Sequence, residues 1–90
     1  MTQALERLEA LNLELCAASG VGKGADTTAE ASRAYRDLMF ARRAEVAAAL
    51  ADARWQIREY ADHRETRALA ARWRAYADGI QAMLESVIRP

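Results

Sequence analysis

The chain has 90 residues and balances 13 basic against 13 acidic side chains, for a formal net charge of zero. Of its 47 apolar residues 22 are alanine, so only 25 larger ones remain to build a core. That excludes a two-domain enzyme and leaves a thin core for a monomer of this length, here read as a single domain over 1–90. The longest apolar run, Val46 to Ala51, is six residues, far short of a membrane span, so no membrane role is expected. Glu6 and Glu9 leave no room for an apolar signal region, and the single Cys16 offers no internal disulfide. A reducing, cytoplasmic setting follows. Arg outnumbers Lys twelve to one, and with so much alanine the composition fits GC-rich codons, as in a high-GC bacterium or its phages.

Strand formers are scarce and proline occurs only at Pro90, so the chain reads as all-α. The first helix is expected over 2–19, with Thr2 as its N-cap. Ala4, Leu8, Leu11, Leu15 and Ala18 recur at alternating spacings of four and three, which makes one apolar seam. Leu5 widens that seam and Asn12 sits on its edge. Gly20, Gly22 and Gly24 then break the helix.

The second helix is expected over 27–61, opened by a capping box from Thr27 to Glu30. Val46, Leu50, Ala53, Ile57 and Tyr60 continue the same spacing, but the register then runs onto arginines. A new register begins at Leu69 and runs through Trp73, Tyr76, Ile80, Met83 and Val87. A corner is therefore expected between Ala61 and Thr66, with Asp62 and Glu65 capping a third helix over 65–88. The alternative is one very long helix through residue 88. Three helices of this kind form an antiparallel bundle or hairpin around a long middle helix, with coiled-coil-like packing. The first helix would pair with one half of the middle helix and the third with the other, leaving two half-covered seams. Self-association is the ordinary remedy, so a homo-oligomer is expected, with a dimer favoured.

Projected at about 100° per residue, the middle helix sorts its side chains by face. Tyr35, Met39, Val46, Leu50, Ala53, Ile57 and Tyr60 share the apolar face. Arg33, Arg36, Arg43, Arg54 and Arg58 form a basic flank, and Glu30, Asp37, Glu45, Asp52 and Glu59 an acidic one. Such segregation suits pairing between helices, one basic edge against another acidic edge. Arg42 falls on the apolar face, where a charge either fixes register or snorkels out past Tyr35. Trp55 projects away from the seam, beside Asp52 and Glu59, as an anchor for a partner. Phe40 with Ala44, Ala47, Ala48 and Ala51 makes a second, small-residue strip, a candidate dimer seam.

Catalytic chemistry finds little to work with. Gly22-Lys23-Gly24 resembles part of a phosphate loop, but Ala17 stands where the first glycine belongs and Gly24 where Ser or Thr must follow the lysine. His63 is the only histidine, and Glu59, Asp62 and Glu65 beside it read as caps and salt bridges rather than metal ligands. No enzyme activity, metal or cofactor is expected. The expectation is an oligomeric interaction protein: an adaptor, inhibitor or assembly factor. It would bind a protein partner through Arg36, Arg43, Arg54, Arg58, Trp55, Phe40 and Arg42. Nucleic acid bound along the basic flank is the second reading.

Overall fold

The computed structural model describes residues 3–22 and 28–89, and among them every regular element is helical. Four α-helices follow one another: α1 (Gln3–Ser19), α2 (Ala29–Ala41), α3 (Arg43–Ala61) and α4 (Arg67–Ile88), with a 3-10 turn at Arg64–Thr66 before the last. α1 and α4 each pack against both α2 and α3, and the α3–α4 interface is the most extensive. The bundle measures 42 × 29 × 20 Å, so its thinnest direction is two helix diameters.

The long middle helix expected over 27–61 is two helices. The break falls at Arg42, whose backbone leaves the helical well at φ −110°, ψ 24°. Its physical reason is the charge on the seam. In an unbroken helix Arg42 would point between Met39 and Val46, which are 0 % and 1 % exposed. An unpaired guanidinium there would be too costly to bury. The break lets the side chain emerge to 30 % exposure and reach two carboxylates. Hydrogen bonding still runs through the junction: the Arg42 N–H donates to the Leu38 carbonyl and the Val46 N–H to the Arg42 carbonyl, both at 3.0 Å. The junction is a kink rather than a gap.

The caps also differ from expectation. Thr28 caps α2, its Oγ1 accepting from the Ala31 N–H at 3.0 Å. The proposed cap residues Thr27 and Thr2, with Lys23 and Gly24 of the loop, lie outside the described residues. Gly20 and Gly22 adopt φ of 85° and 84°, which only glycine reaches cheaply, and they stop α1. The corner after Ala61 is present, but Asp62 and Glu65 do not cap α4. Instead the Thr66 hydroxyl donates to the Tyr60 carbonyl at 2.7 Å, closing the end of α3.

One apolar core joins all four helices, so the seams are not two half-covered hairpins. α1 buries Leu5, Leu8, Leu11 and Leu15; Leu5 is central, while Ala4 is half-buried and Ala18 exposed. α3 buries Val46, Ala49, Leu50, Ala53 and Ile57. α4 meets them with Ala70, Ala77, Ile80 and Leu84. Its expected register is off by about one position: Leu69, Trp73, Tyr76, Met83 and Val87 ring the core, half-buried. Alanines on both α3 and α4 let these two helices approach closely.

Candidate functional site

The sorted charges of the middle helix have an internal use. On the basic side Arg54 Nη2 pairs with Asp78 Oδ1 of α4 at 2.9 Å, and Arg36 Nη1 donates to Ser86 Oγ of α4 at 3.3 Å. On the acidic side Asp52 pairs with Arg7 of α1 at 3.2 Å. The basic edge therefore faces α4 and the acidic edge faces α1, which tells the two neighbours apart.

Arg42 ties the kink to α1. Its Nε and Nη2 grip both Glu45 oxygens at 3.0 and 2.9 Å, and its Nη1 reaches Glu14 Oε1 at 3.0 Å. This fork geometry suits a guanidinium, and it holds the Glu45 carboxyl below its ordinary pKa. Donating these hydrogen bonds to Glu45, and then to Glu14, raises the Arg42 pKa in turn. Arg42 thus serves the fold, and its free donors for a partner are few.

The remaining expected residues lie on the outer surface. Trp55 is 57 % exposed and Phe40 42 %. Ala44, Ala47, Ala48 and Ala51 are all exposed. Ala51 and Trp55 are one helical turn apart, so the strip and the tryptophan form a single apolar band along the outer face of α3. Arg43, Arg54 and Arg58 border it on one side, and Glu45, Asp52 and Glu59 on the other. Phe40 extends the band across the kink. Arg43 lies over the Phe40 ring, 4.3 Å from its centroid, and donates to the Phe40 carbonyl at 2.8 Å. Arg58 has no ion pair or hydrogen bond among the described residues.

Arg36 stands apart from that band. It forms the wall between two depressions flanking α2. The first is a groove of about 550 Å³ where Phe40 of α2 meets Val87, Ile88 and Arg89 at the end of α4, with Asp37 on its rim. The second is a cleft of about 610 Å³ between α1, α2 and α4. Asn12, Tyr35 and Tyr76, one from each of those helices, meet in this cleft. The Tyr35 hydroxyl donates to Asn12 Oδ1, and Asn12 Nδ2 donates to the Tyr76 hydroxyl at 3.1 Å. Trp73 meets Tyr76 edge to face, with ring centroids 5.6 Å apart.

Partial burial pushes the Tyr35 hydroxyl up to about 12, with Cys16 and Tyr76 adding to the shift. The Tyr76 hydroxyl is raised mainly by the same desolvation, although the bond from Asn12 opposes it. In the sequence all three residues fall on or beside apolar seams, where they read as packing. The available signal was chemical: an Asn and two Tyr at inward positions of three helices require hydrogen-bond partners.

Among the described residues, no three His, Cys, Asp or Glu side chains converge as a metal ion would require. His63 is exposed at the corner and makes no side-chain cap. No described helix is long and apolar enough to cross a membrane. Compared with known families, curated proteins and solved structures, the chain matches none of them.

Proposed function

We propose that the protein is a non-enzymatic, cytoplasmic interaction module that works as a dimer and receives a protein partner. The observation that supports it is the outer face of α3: an exposed apolar band ending in Trp55, bordered by opposite charges. Two-fold symmetry then restricts the pairing. In an antiparallel pair of such faces each basic edge would meet the other basic edge. In a parallel pair about an axis along the helix, Arg43, Arg54 and Arg58 of one copy border Glu45, Asp52 and Glu59 of the other. The alanines permit close approach, and the tryptophans contribute apolar area at one end.

The partner surface in this reading is the groove at Phe40 and Ile88, which are 42 % and 48 % exposed. Arg36 and Arg89 line it against Asp37, the one acid among the described lining residues, and Arg43 lies over the Phe40 ring, which suits an acidic segment carrying an apolar anchor. Nucleic acid is the second reading, supported by the exposed Arg43 and Arg58. Against it, Arg54 of the basic flank and Arg42 at the kink are already held by carboxylates.

Sedimentation tests the dimer, with a species of twice 10.0 kDa expected at micromolar concentration. Ala48→Glu, on the exposed band, should dissolve it and leave the fold intact. A charge at Leu50 would instead test folding, because that side chain is only 2 % exposed. A wild-type species of 10.0 kDa would contradict the reading. For the partner, Ile88→Ala and Arg36→Glu should each remove it while the dimer persists. Sub-micromolar binding of a generic duplex at physiological salt would favour nucleic acid. Its log-log salt slope should then fall by about 0.9 for each phosphate-contacting arginine removed.

A further inference from the structure

We propose that the cleft between α1, α2 and α4 binds a small aromatic carboxylate. Its volume, about 610 Å³, lies within the ordinary range for small-molecule sites. Its chemistry is one-sided. Among the described residues no Asp or Glu lines it, whereas Arg36, Ser32, Asn12 and two tyrosine hydroxyls do.

The donors are also only partly used. Tyr35 gives its proton to Asn12 Oδ1, and Asn12 spends one of its two amide hydrogens on Tyr76. The Tyr76 hydroxyl therefore accepts, and its own proton has no acceptor among the described residues. Arg36 spends one of its five N–H groups on Ser86 and keeps the others. A cleft whose described lining is rich in donors, with a guanidinium and without a carboxylate, selects an anion.

The rest of the lining selects its body. Ile80 and Met83 supply apolar walls beside the rings of Tyr35 and Tyr76. Tyrosine rings and a thioether favour a flat aromatic group over an alkyl chain. The space beside Gly79 is open: this residue lines the cleft, and a Cβ built there meets nothing within 4 Å. Mid-helix, glycine is the least favourable residue after proline, so helix formation alone does not account for it.

The test is a titration of isotope-labelled protein with 2-naphthoate, followed by NMR. Saturable shifts are expected at the Asn12 side-chain amide, the Arg36 Nε–H and the Gly79 amide, with a dissociation constant below about 1 mM. Gly79→Leu improves the local helix propensity and fills the cleft, so a folded variant should lose binding. Arg36→Gln should weaken binding about tenfold, and neutral 2-naphthamide should bind the wild type more weakly by a similar factor. Tyr76→Phe, which removes only a hydroxyl, should weaken it several-fold. Octanoate should bind less tightly than 2-naphthoate.

Absence of saturable shifts in the wild type, or shifts that survive Gly79→Leu, would overturn the proposal. Equal binding of the amide would overturn the anion assignment, and equal binding of octanoate the aromatic one. None of these variants touches the outer band of α3, so the dimer reading stands or falls separately.

Discussion

α2 and α3 adjoin at the Arg42 kink, and they differ most in how they are packed. α3 buries five residues in nineteen, and every one faces the core shared with α1 and α4. α2 buries only Ala31 and Met39 in thirteen. Its other inward positions hold Tyr35 and Leu38, both half-buried. Small aliphatic side chains on α3 fill the space between helices. Tyr35 on α2 is half-buried and brings a hydroxyl that Asn12 satisfies, and α2 is flanked by the cleft on one side and the groove on the other. The tightly packed half supplies the scaffold and an outer face. The loosely packed half supplies the depressions.

The largest test of this contrast is truncation in the two halves. Leu50→Ala should cost about 3 kcal/mol in urea unfolding, from lost burial and the cavity left behind. Leu38→Ala, half-buried in α2, should cost about 1 kcal/mol, because its site is already partly open to water. Equal losses would break the comparison.

A smaller effect is expected from Tyr35→Phe. It leaves the Asn12 carbonyl oxygen without its donor and should cost about 1 kcal/mol. The same variant sharpens the pH dependence. Tyr35 is raised from 10.0 to about 12, so its neutral form is favoured in the fold. That contribution is fully present below pH 10 and is lost as pH rises toward about 12. A circular-dichroism titration should show this alkaline loss in the wild type and a reduced one in Tyr35→Phe.

The smallest effect concerns the kink. The Glu45 carboxylate is exposed and screened by solvent, so Arg42→Ala should cost the least of these variants in urea unfolding at neutral pH. Glu45 has its pKa lowered from 4.5 by Arg42. Its contribution is therefore present above pH 4.5 and is lost as pH falls through the folded value. Glu45→Gln should flatten the acid limb of a denaturation curve measured against pH.

Much of this architecture is legible in the residues, and the departures have identifiable causes. The α1 leucines and the corner near Asp62 follow from apolar spacing alone. Arg42 was visible as a charge on a seam, but spacing does not say whether a charge bends its side chain or its helix. The α4 register was drawn toward its large aromatics, whereas the buried centre is held by Ala70 and Ala77, whose small size makes them inconspicuous in a pattern. Arg43, Trp55 and Phe40 do lie on the surface as expected. Arg54 and Arg42 carry the right charge for a partner, yet carboxylates on other helices hold them, and that pairing requires the tertiary arrangement. The cleft was invisible for the same reason, since Asn12, Tyr35 and Tyr76 are far apart in the chain.

The proposed parallel pairing of two copies through the outer face of α3 has a direct test. Single-cysteine variants Ala44→Cys and Ala51→Cys, each with Cys16→Ser, test it under mild oxidation. The two positions are about 10.5 Å apart along the helix, and a disulfide requires Cα atoms within about 7 Å. A parallel pair brings each position beside its own copy, so both variants should form covalent dimers in high yield. No dimer from either variant, or dimer from only one, or linkage only when the two variants are mixed, would contradict it.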